Sequence, residues 1–554
     1  MNDPEVISAP AEQKPRGQTP PLTEKLRTAV VCLSLANLCF IRVWGEVFFY
    51  RRTEAVWVKA IPSPADYGAV MTAVLLLAAA LYGAVRMARR HLGARGLRVM
   101  RFVSFGLAAI PLNGVRAALS ALTVYLKSPL LGLIGPRTLV LLILPTCAAA
   151  LWVTWRYQRW VSAAAKVALI ALFPFCLLTF GEAVAAMISY PGQPYRDGPL
   201  ASRLGNAPPA TRVVWIIFDE WDYRLTFAER PRDLAIPEVD RLRRESLFAT
   251  AARSPAMDTA ESLPSLITGR RMQAVNSGSG SGMTIEPKGP RSADREPGQE
   301  SFSIFHAVRK AGLDTGLVGW YLPYCRAMNG ELSECAWCVL PIQANSAGHS
   351  FLAGLLGTGF WGHVAGQSVS LLETDSLSLF GQSSSTRHKV EQYKDLMAES
   401  KKDVADPALG LVFLHLPVPH APHPYNRFTG RMDGANRPIS GYVDSLALMD
   451  RTMGELRAEM ECHGTWDHTV LLISADHPFR ASKALDGKTD RRVPFLLRFP
   501  GRPSSGDYES KFDTILSANL VYAILRGSVS TPAEASVWLE RHREERESPV
   551  RAAD

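Results

Sequence analysis

The chain has 554 residues, a formal net charge of +9 and a hydrophobic share of 47%. That length exceeds one ordinary core, so more than one structural unit is expected. Its positive charge borders apolar runs and forms no basic patch interleaved with aromatic platforms, which excludes nucleic-acid binding.

In chain order, residues 1–27 read as a cytoplasmic tail and residues 28–190 as a transmembrane domain of five helices. The five runs are Thr28 to Tyr50, Tyr67 to Met87, Val99 to Leu122, Thr138 to Trp155 and Val167 to Tyr190. Each approaches the roughly 20 residues that cross a hydrocarbon layer. No small-x-small site closes the first run, so it reads as a retained anchor. Arg86, Arg89, Arg90, Arg95, Arg98 and Arg101 crowd the second connection, and Arg156, Arg159 and Lys166 the fourth. With five spans these share a side with the tail's Lys14, Arg16, Lys25 and Arg27, which makes that side cytoplasmic and everything after Tyr190 external. Arg51 and Arg52 dissent weakly from this topology. Within the runs, Arg42, Glu46, Asn113, Arg116 and Glu182 are costly to bury and mark function or pairing. Arg116 is the candidate for holding a phospholipid head group.

Residues 191–211 are rich in Pro and Gly and read as a linker, followed by an outer domain over 212–554. Strand-like runs at Val213–Phe218, Thr315–Gly319, Leu411–His415, Val470–Ser474 and Val493–Phe499 alternate with helical spacing at Ser303–Ala311, Lys389–Ser400 and Tyr442–Met460. This alternation predicts an α/β domain with helices on both faces of a central, mainly parallel sheet. Ser277 to Gly282, SGSGSG, reads as a surface loop. Cys32, Cys39, Cys147 and Cys176 sit in apolar runs as small buried hydrophobes. The outer Cys325, Cys335, Cys338 and Cys462 allow a disulfide from Cys325 to Cys335 or Cys338, with a zinc site at Cys335-x-x-Cys338 as the alternative.

Ligands of such sheets bind at the carboxyl ends of the strands, so residues following strands carry the functional expectation. Asp219 and Glu220 follow the first strand, His420 and His423 the Leu411 strand, and Asp476 and His477 the Val470 strand. A single Asp after a strand is often only a cap or turn residue. Two such pairs supply the carboxylate and imidazole donors of a divalent metal, zinc first, with manganese, magnesium or calcium as alternatives. Between them, DTAESLPSLITGR from Asp258 to Arg270 reads as a capped helix whose N-terminal hydroxyl lies where backbone N–H groups and the helix dipole favour an anion.

IIFDE at Ile216–Glu220, T-x-x-S-x-P at Thr259–Pro264, LITGR at Leu266–Arg270, HLPVPHAPH at His415–His423 and SADH at Ser474–His477 occur in the order seen in the sulfatase and alkaline phosphatase superfamily, which this segment resembles. The resemblance implies an alkaline phosphatase-like α/β sandwich with Thr259 as nucleophile, because the sulfatase and phosphoethanolamine transferase patterns both place it there. Threonine cannot become the formylglycine of sulfatases, which favours phosphoryl transfer. Five spans before such a domain are similar to the membrane-anchored phosphoethanolamine transferases and lipoteichoic acid synthase. That likeness implies transfer of a phosphoethanolamine or phosphoglycerol head group from a phospholipid donor, through a covalent Thr259 intermediate, to an envelope lipid or glycan at a bacterial inner membrane, with the catalytic domain in the periplasm. The metal would be held by Asp219, Glu220, Asp476 and His477; His420 and His423 would serve the leaving group; Ser262, Arg270, Arg491 and Arg492 would bind substrate. KTDRRVPF at Lys488–Phe495 lacks the late histidine of a second metal site, so one principal ion is expected. Ester hydrolysis and a non-catalytic lipid sensor on the same fold are the alternatives.

Overall fold

The structure is a computed structural model that describes residues 22–48, 62–106, 110–111, 149, 152–190, 199–205, 207–276, 283–287, 303–322, 324–328, 330–338, 360–370, 384–432, 440–501 and 506–545. The chain divides into two compact units, one of Met1–Gly45 and Pro64–Ser189 and one of Glu46–Ser63 and Tyr190–Asp554.

The first unit is helical. Among the described residues two helices are long and apolar enough to cross a membrane, Pro64–His91 and the nearly continuous Gln158–Ile188. The five-helix bundle expected above is therefore corrected. The first expected span is split into helices Leu22–Cys39 and Ile41–Phe48, and Glu24, Lys25 and Arg27 charge the first of these. The described start of the third is the short helix Ala94–Gly106, which carries Arg95, Arg98 and Arg101. The rest of the third span, with Asn113 and Arg116, and most of the fourth, with Cys147, lie outside the described residues. Inside the unit, Asn37 accepts hydrogen bonds from Trp44 Nε1 at 2.8 Å and Thr179 Oγ1 at 3.1 Å, so a polar pin crosses an otherwise apolar helix contact.

The second unit contains β1 (Arg212–Asp219), β2 (Leu247–Ala249), β3 (Ala252–Arg253), β4 (Met272–Asn276), β5 (Met283–Pro287), β6 (Asp314–Trp320), β7 (Glu334–Cys338), β8 (Leu409–Pro419), β9 (Tyr425–Asn426), β10 (Arg431–Met432), β11 (Thr469–Ala475), β12 (Phe495–Arg498), β13 (Asp507–Tyr508) and β14 (Phe512–Asp513). Eight of them form one sheet in the order β13-β2-β12-β11-β1-β8-β6-β7. Its centre is apolar on both faces, as RVVWIIFD of β1 and TVLLISA of β11 are buried along their whole length, the pattern of strands covered by helices on each side.

The sheet is mixed, which corrects the mainly parallel expectation. From β11 to β7 neighbours are parallel, but β12 runs antiparallel to both β11 and β2. Apolar composition marked the β12 segment as a strand, but composition carries no direction. The chain returns to it through a short connection with one five-residue helix, Ser482–Asp486, instead of a full crossover. Arg212 ties the base of the sheet: buried in β1, it donates to the carbonyls of Leu409, Asp403 and Val404 and to Thr469 Oγ1. Cys325 and Cys335 form a disulfide, which excludes the zinc alternative; Cys338 and Cys462 are free. The SGSGSG run lies outside the described residues, between paired β4 and β5.

Candidate active site

Register builds the site. β1 and β11 are parallel neighbours with Phe218 beside Ala475, so the residues that follow, Asp219 and Asp476, leave the sheet at one level. β8 lies on the other flank of β1 with His415 beside Ile217, and the register slips between Phe218 and Asp219. The helix Thr259–Thr268 begins at Thr259. Asp258 is its N-cap, its carboxylate accepting the Glu261 N–H at 3.0 Å.

These elements bring Thr259 against the Asp476–His477 pair. Thr259 Oγ1 donates to Asp476 Oδ2 at 2.7 Å and lies 3.2 Å from His477 Nε2. Asp476 Oδ1 accepts the N–H groups of Glu220 at 3.1 Å and His477 at 2.7 Å, and Ser262 Oγ donates to the Asp476 carbonyl at 2.5 Å. His477 Nδ1 lies 3.0 Å from the Pro478 carbonyl. A carbonyl only accepts, so the proton sits on Nδ1 and Nε2 presents its lone pair to the site.

Ligand atoms of Asp219, Asp476 and His477 all lie within 4.8 Å of one another, and all three residues are buried. Both carboxylate oxygens of Asp219 are buried without a hydrogen-bond partner. Burial, then the neighbouring Asp476 and Glu220 carboxylates, push the Asp219 carboxyl well above the usual range. A divalent cation answers each of these conditions: it partners the orphaned oxygens and offsets the clustered negative charge. The donor set of two carboxylates and one imidazole fits such an ion.

The other expected site residues fall in different places. Glu220 adopts φ 64 and turns its carboxylate to Arg480 Nε at 2.8 Å, so it reaches the triad through its backbone N–H. Its carbonyl accepts from Tyr442 Oη at 2.6 Å, and Tyr442 stacks on Phe479 with ring centroids 3.8 Å apart. His420 is partly exposed, with Nδ1 2.6 Å from the Ala421 carbonyl and its ring 5.2 Å from Trp320; burial pushes its pKa well down. His423 is buried beside Ser445 Oγ at 3.0 Å, and burial lowers it to about 4. Arg270 is half-buried beyond the left-handed Gly269 that ends the nucleophile helix. Arg491 is exposed, whereas Arg492 pairs with Asp490 at 2.7 Å and covers the Tyr223 ring at 4.2 Å.

Two residues given no role by sequence reasoning stand beside the triad. His415, fully buried in β8, has Nδ1 3.1 Å from the Trp320 carbonyl, while its unpartnered Nε2 lies 3.8 Å from Asp219 Oδ2. Lys389 is 3% exposed, and its Nζ sits 4.1 Å over the Trp320 ring without a hydrogen-bond partner. Burial pushes its ammonium down to about 7, against the pull of Asp219 and Glu220. A signal existed for the lysine: Lys389, Tyr393, Leu396 and Ser400 follow helical spacing and are all buried, so a cation sits on the apolar stripe of the helix Ser384–Ala405.

The sulfatase family profile matches residues 211–526, more than half of the chain, and the chain belongs to that family within the alkaline phosphatase superfamily. A comparison with curated proteins returns no match. Among solved structures, a sulfatase from Pseudoalteromonas sp. is similar at 14% identity and TM-score 0.39, covering 58% of this chain and 68% of its own. The phosphonate monoester hydrolase of Agrobacterium radiobacter is 15% identical at TM-score 0.38, covering 58% and 74%. The lipoteichoic acid synthase LtaP from Listeria monocytogenes is 15% identical at TM-score 0.35, covering 58% and 73%. Family membership and the Asp219–Asp476–His477 cluster together support metal-dependent catalysis of the kind this superfamily performs.

Proposed function

We propose that the chain is a metal-dependent phosphate-ester hydrolase in which Thr259 is the nucleophile. The observation that carries this reading is the 2.7 Å hydrogen bond from Thr259 Oγ1 to Asp476, a member of the metal cluster, at the first turn of a helix. Asp219, Asp476 and His477 would hold a divalent ion, zinc by preference for this donor set, which when bound would supply Lewis-acid activation of the hydroxyl and the ester. Thr259 Oγ1 loses its proton and forms a bond to phosphorus as the bond to the leaving alkoxide breaks, the alkoxide taking up a proton from solvent in exchange, and the helix N-terminus faces the charge that develops. Neutral His420, with its Nδ1 proton committed to the Ala421 carbonyl, offers Nε2 as the base that takes a proton from water when the Thr259 ester is hydrolysed. A threonine side chain favours phosphate over sulfate esters, since it has no route to a formylglycine.

A second reading replaces water with an acceptor hydroxyl, so that a phospholipid head group moves to an envelope lipid or glycan. The apolar helices Pro64–His91 and Gln158–Ile188 favour it, because they would hold the catalytic unit at a membrane. In that reading the chain resides in a bacterial inner membrane with its catalytic unit in the periplasm. One experiment separates the outcomes. Purified, metal-loaded protein is quenched during turnover of a chromogenic phosphodiester, and the peptide with Thr259 is examined by mass spectrometry. A phospho-adduct absent from Thr259→Ala is expected; turnover without any adduct sinks the nucleophile assignment. Added alcohols that divert product from the phosphomonoester to a new phosphodiester would favour the transfer reading.

A further inference from the structure

The three members of the metal cluster come from two loops, and one side chain touches both. Tyr442 is the second residue of the helix Gly441–Cys462 and is fully buried. Its Oη donates to the Glu220 carbonyl at 2.6 Å and accepts the Asp222 N–H at 2.9 Å. The one phenolic proton and an oxygen lone pair are thus both committed to the turn that follows β1. The ring faces the other loop. It stacks on Phe479 with centroids 3.8 Å apart and planes 10° from parallel. Phe479 follows Pro478, whose carbonyl lies 3.0 Å from His477 Nδ1, so the stack anchors the peptide that orients this imidazole.

Asp219 depends on such support more than its partners do. Asp476 Oδ1 is held by two backbone N–H groups and its Oδ2 by Thr259, whereas among the described residues neither Asp219 oxygen has a hydrogen-bond partner. Its direction therefore rests on the backbone. The next residue, Glu220, sits at φ 64, a left-handed value that an L side chain keeps only where its surroundings impose it. A phenylalanine at 442 would fill the same volume against Phe479 and leave a buried carbonyl and a buried N–H unpaired.

Building on the metal-dependent reading, we propose that Tyr442 is a positioning residue of the metal centre. Its hydroxyl fixes the turn after Asp219 and its ring the turn after His477, so the spacing of the two ligand-bearing loops is set before an ion arrives. The hydroxyl controls metal affinity and makes no contact with the ester.

The test titrates cobalt(II) by calorimetry into full-length protein stripped with a chelator. Tyr442→Phe is expected to weaken the cobalt Kd by about 10- to 100-fold and to change the visible absorption of the bound ion, which reports its coordination geometry. Phe479→Leu should weaken binding in the same direction. The double variant should lose less than the product of the two single losses, because either change opens the same clamp. Tyr393→Phe controls for loss of stability alone. Tyr393 is also buried, and its Oη lies 2.8 Å from Thr452 Oγ1, so this variant should unfold more easily and keep its Kd. A folded Tyr442→Phe that binds cobalt as tightly as wild type, or an equal weakening in Tyr393→Phe, would overturn the proposal. Where Tyr442→Phe does not fold, unaltered affinity in Phe479→Leu overturns it. No turnover is read, so the outcome is independent of the Thr259 assignment, and a wild type that takes up no cobalt would remove the metal site itself.

Discussion

Thr259 Oγ1 sits 2.7 Å from Asp476 Oδ2 and 3.2 Å from His477 Nε2, so one hydroxyl touches two members of the metal cluster. The side chain is buried and has one proton to give, which Asp476 takes as a hydrogen bond. Thr259→Ala is expected to lower turnover by about a thousandfold or more while leaving metal content intact, and Thr259→Ser to retain part of the activity. Steady-state kinetics beside metal analysis check both statements. Full turnover in the alanine variant would remove Thr259 from the reaction.

Chelation should destabilise the second unit as well as silence it. The ion would bind the folded site alone, so saturation at about a thousand times Kd adds roughly 4 kcal/mol, and a chelator removes that amount. Thermal unfolding with and without metal measures it. His477→Ala is expected to abolish the metal-dependent rise in Tm, because it deletes the one nitrogen donor of the cluster.

Glu220 provides a backbone test. Its φ of 64 lies in the left-handed region, and its side chain is bonded to Arg480. Glu220→Ala and Glu220→Gly both lose the ion pair, but glycine adopts that φ freely. The alanine variant should be less stable than the glycine variant by about 1 kcal/mol in denaturant unfolding. Equal stability would show that the turn relaxes.

Asp403 carries a pH signature. It is 3% exposed, and burial raises its carboxyl to about 7 from the usual 3.8. The folded state thus holds a proton that the unfolded chain has released. Stability from this group is complete below about 3.8 and is lost as pH rises through about 7. Asp403→Asn should therefore stabilise the protein at mildly alkaline pH by about 2 kcal/mol, and little at acid pH, in urea unfolding.

Reduction supplies a fifth check. The Cys325–Cys335 disulfide closes a loop with a sequence separation of 10. The unfolded-chain entropy it removes is worth about 3 kcal/mol, so Cys335→Ser should lower stability by a comparable amount. Cys338→Ser should leave it unaltered.

Apolar runs located the central strands, because β1, β8 and β11 are buried on both faces and their sequences show it without alternation. The pairs Asp219–Glu220 and Asp476–His477 were visible for the same reason, each following such a run. Composition did not reveal that Glu220 would turn to Arg480, since that depends on a left-handed backbone and on Phe479 holding Tyr442 in place. Lys389 was hidden by its neighbours: within RHKVEQYKD a lysine looks like part of a solvated face until the buried stripe is known. The five-span expectation rested on apolar length, which did not show that the first run would split into the helices Leu22–Cys39 and Ile41–Phe48. Strand direction was never encoded in the β12 composition.

The two halves of the metal cluster sit on neighbouring strands, yet Glu220 and Asp476 are 256 positions apart in the chain. Their proximity is made by the β1–β11 pairing, and β11 is the last in the chain of the five strands that run parallel from β11 to β7. A ribosome-bound or truncated chain ending before Thr469 would own Asp219 and Thr259 but no place for the ion. Metal uptake thus becomes a late event in the life of the polypeptide, a record that the sheet has closed.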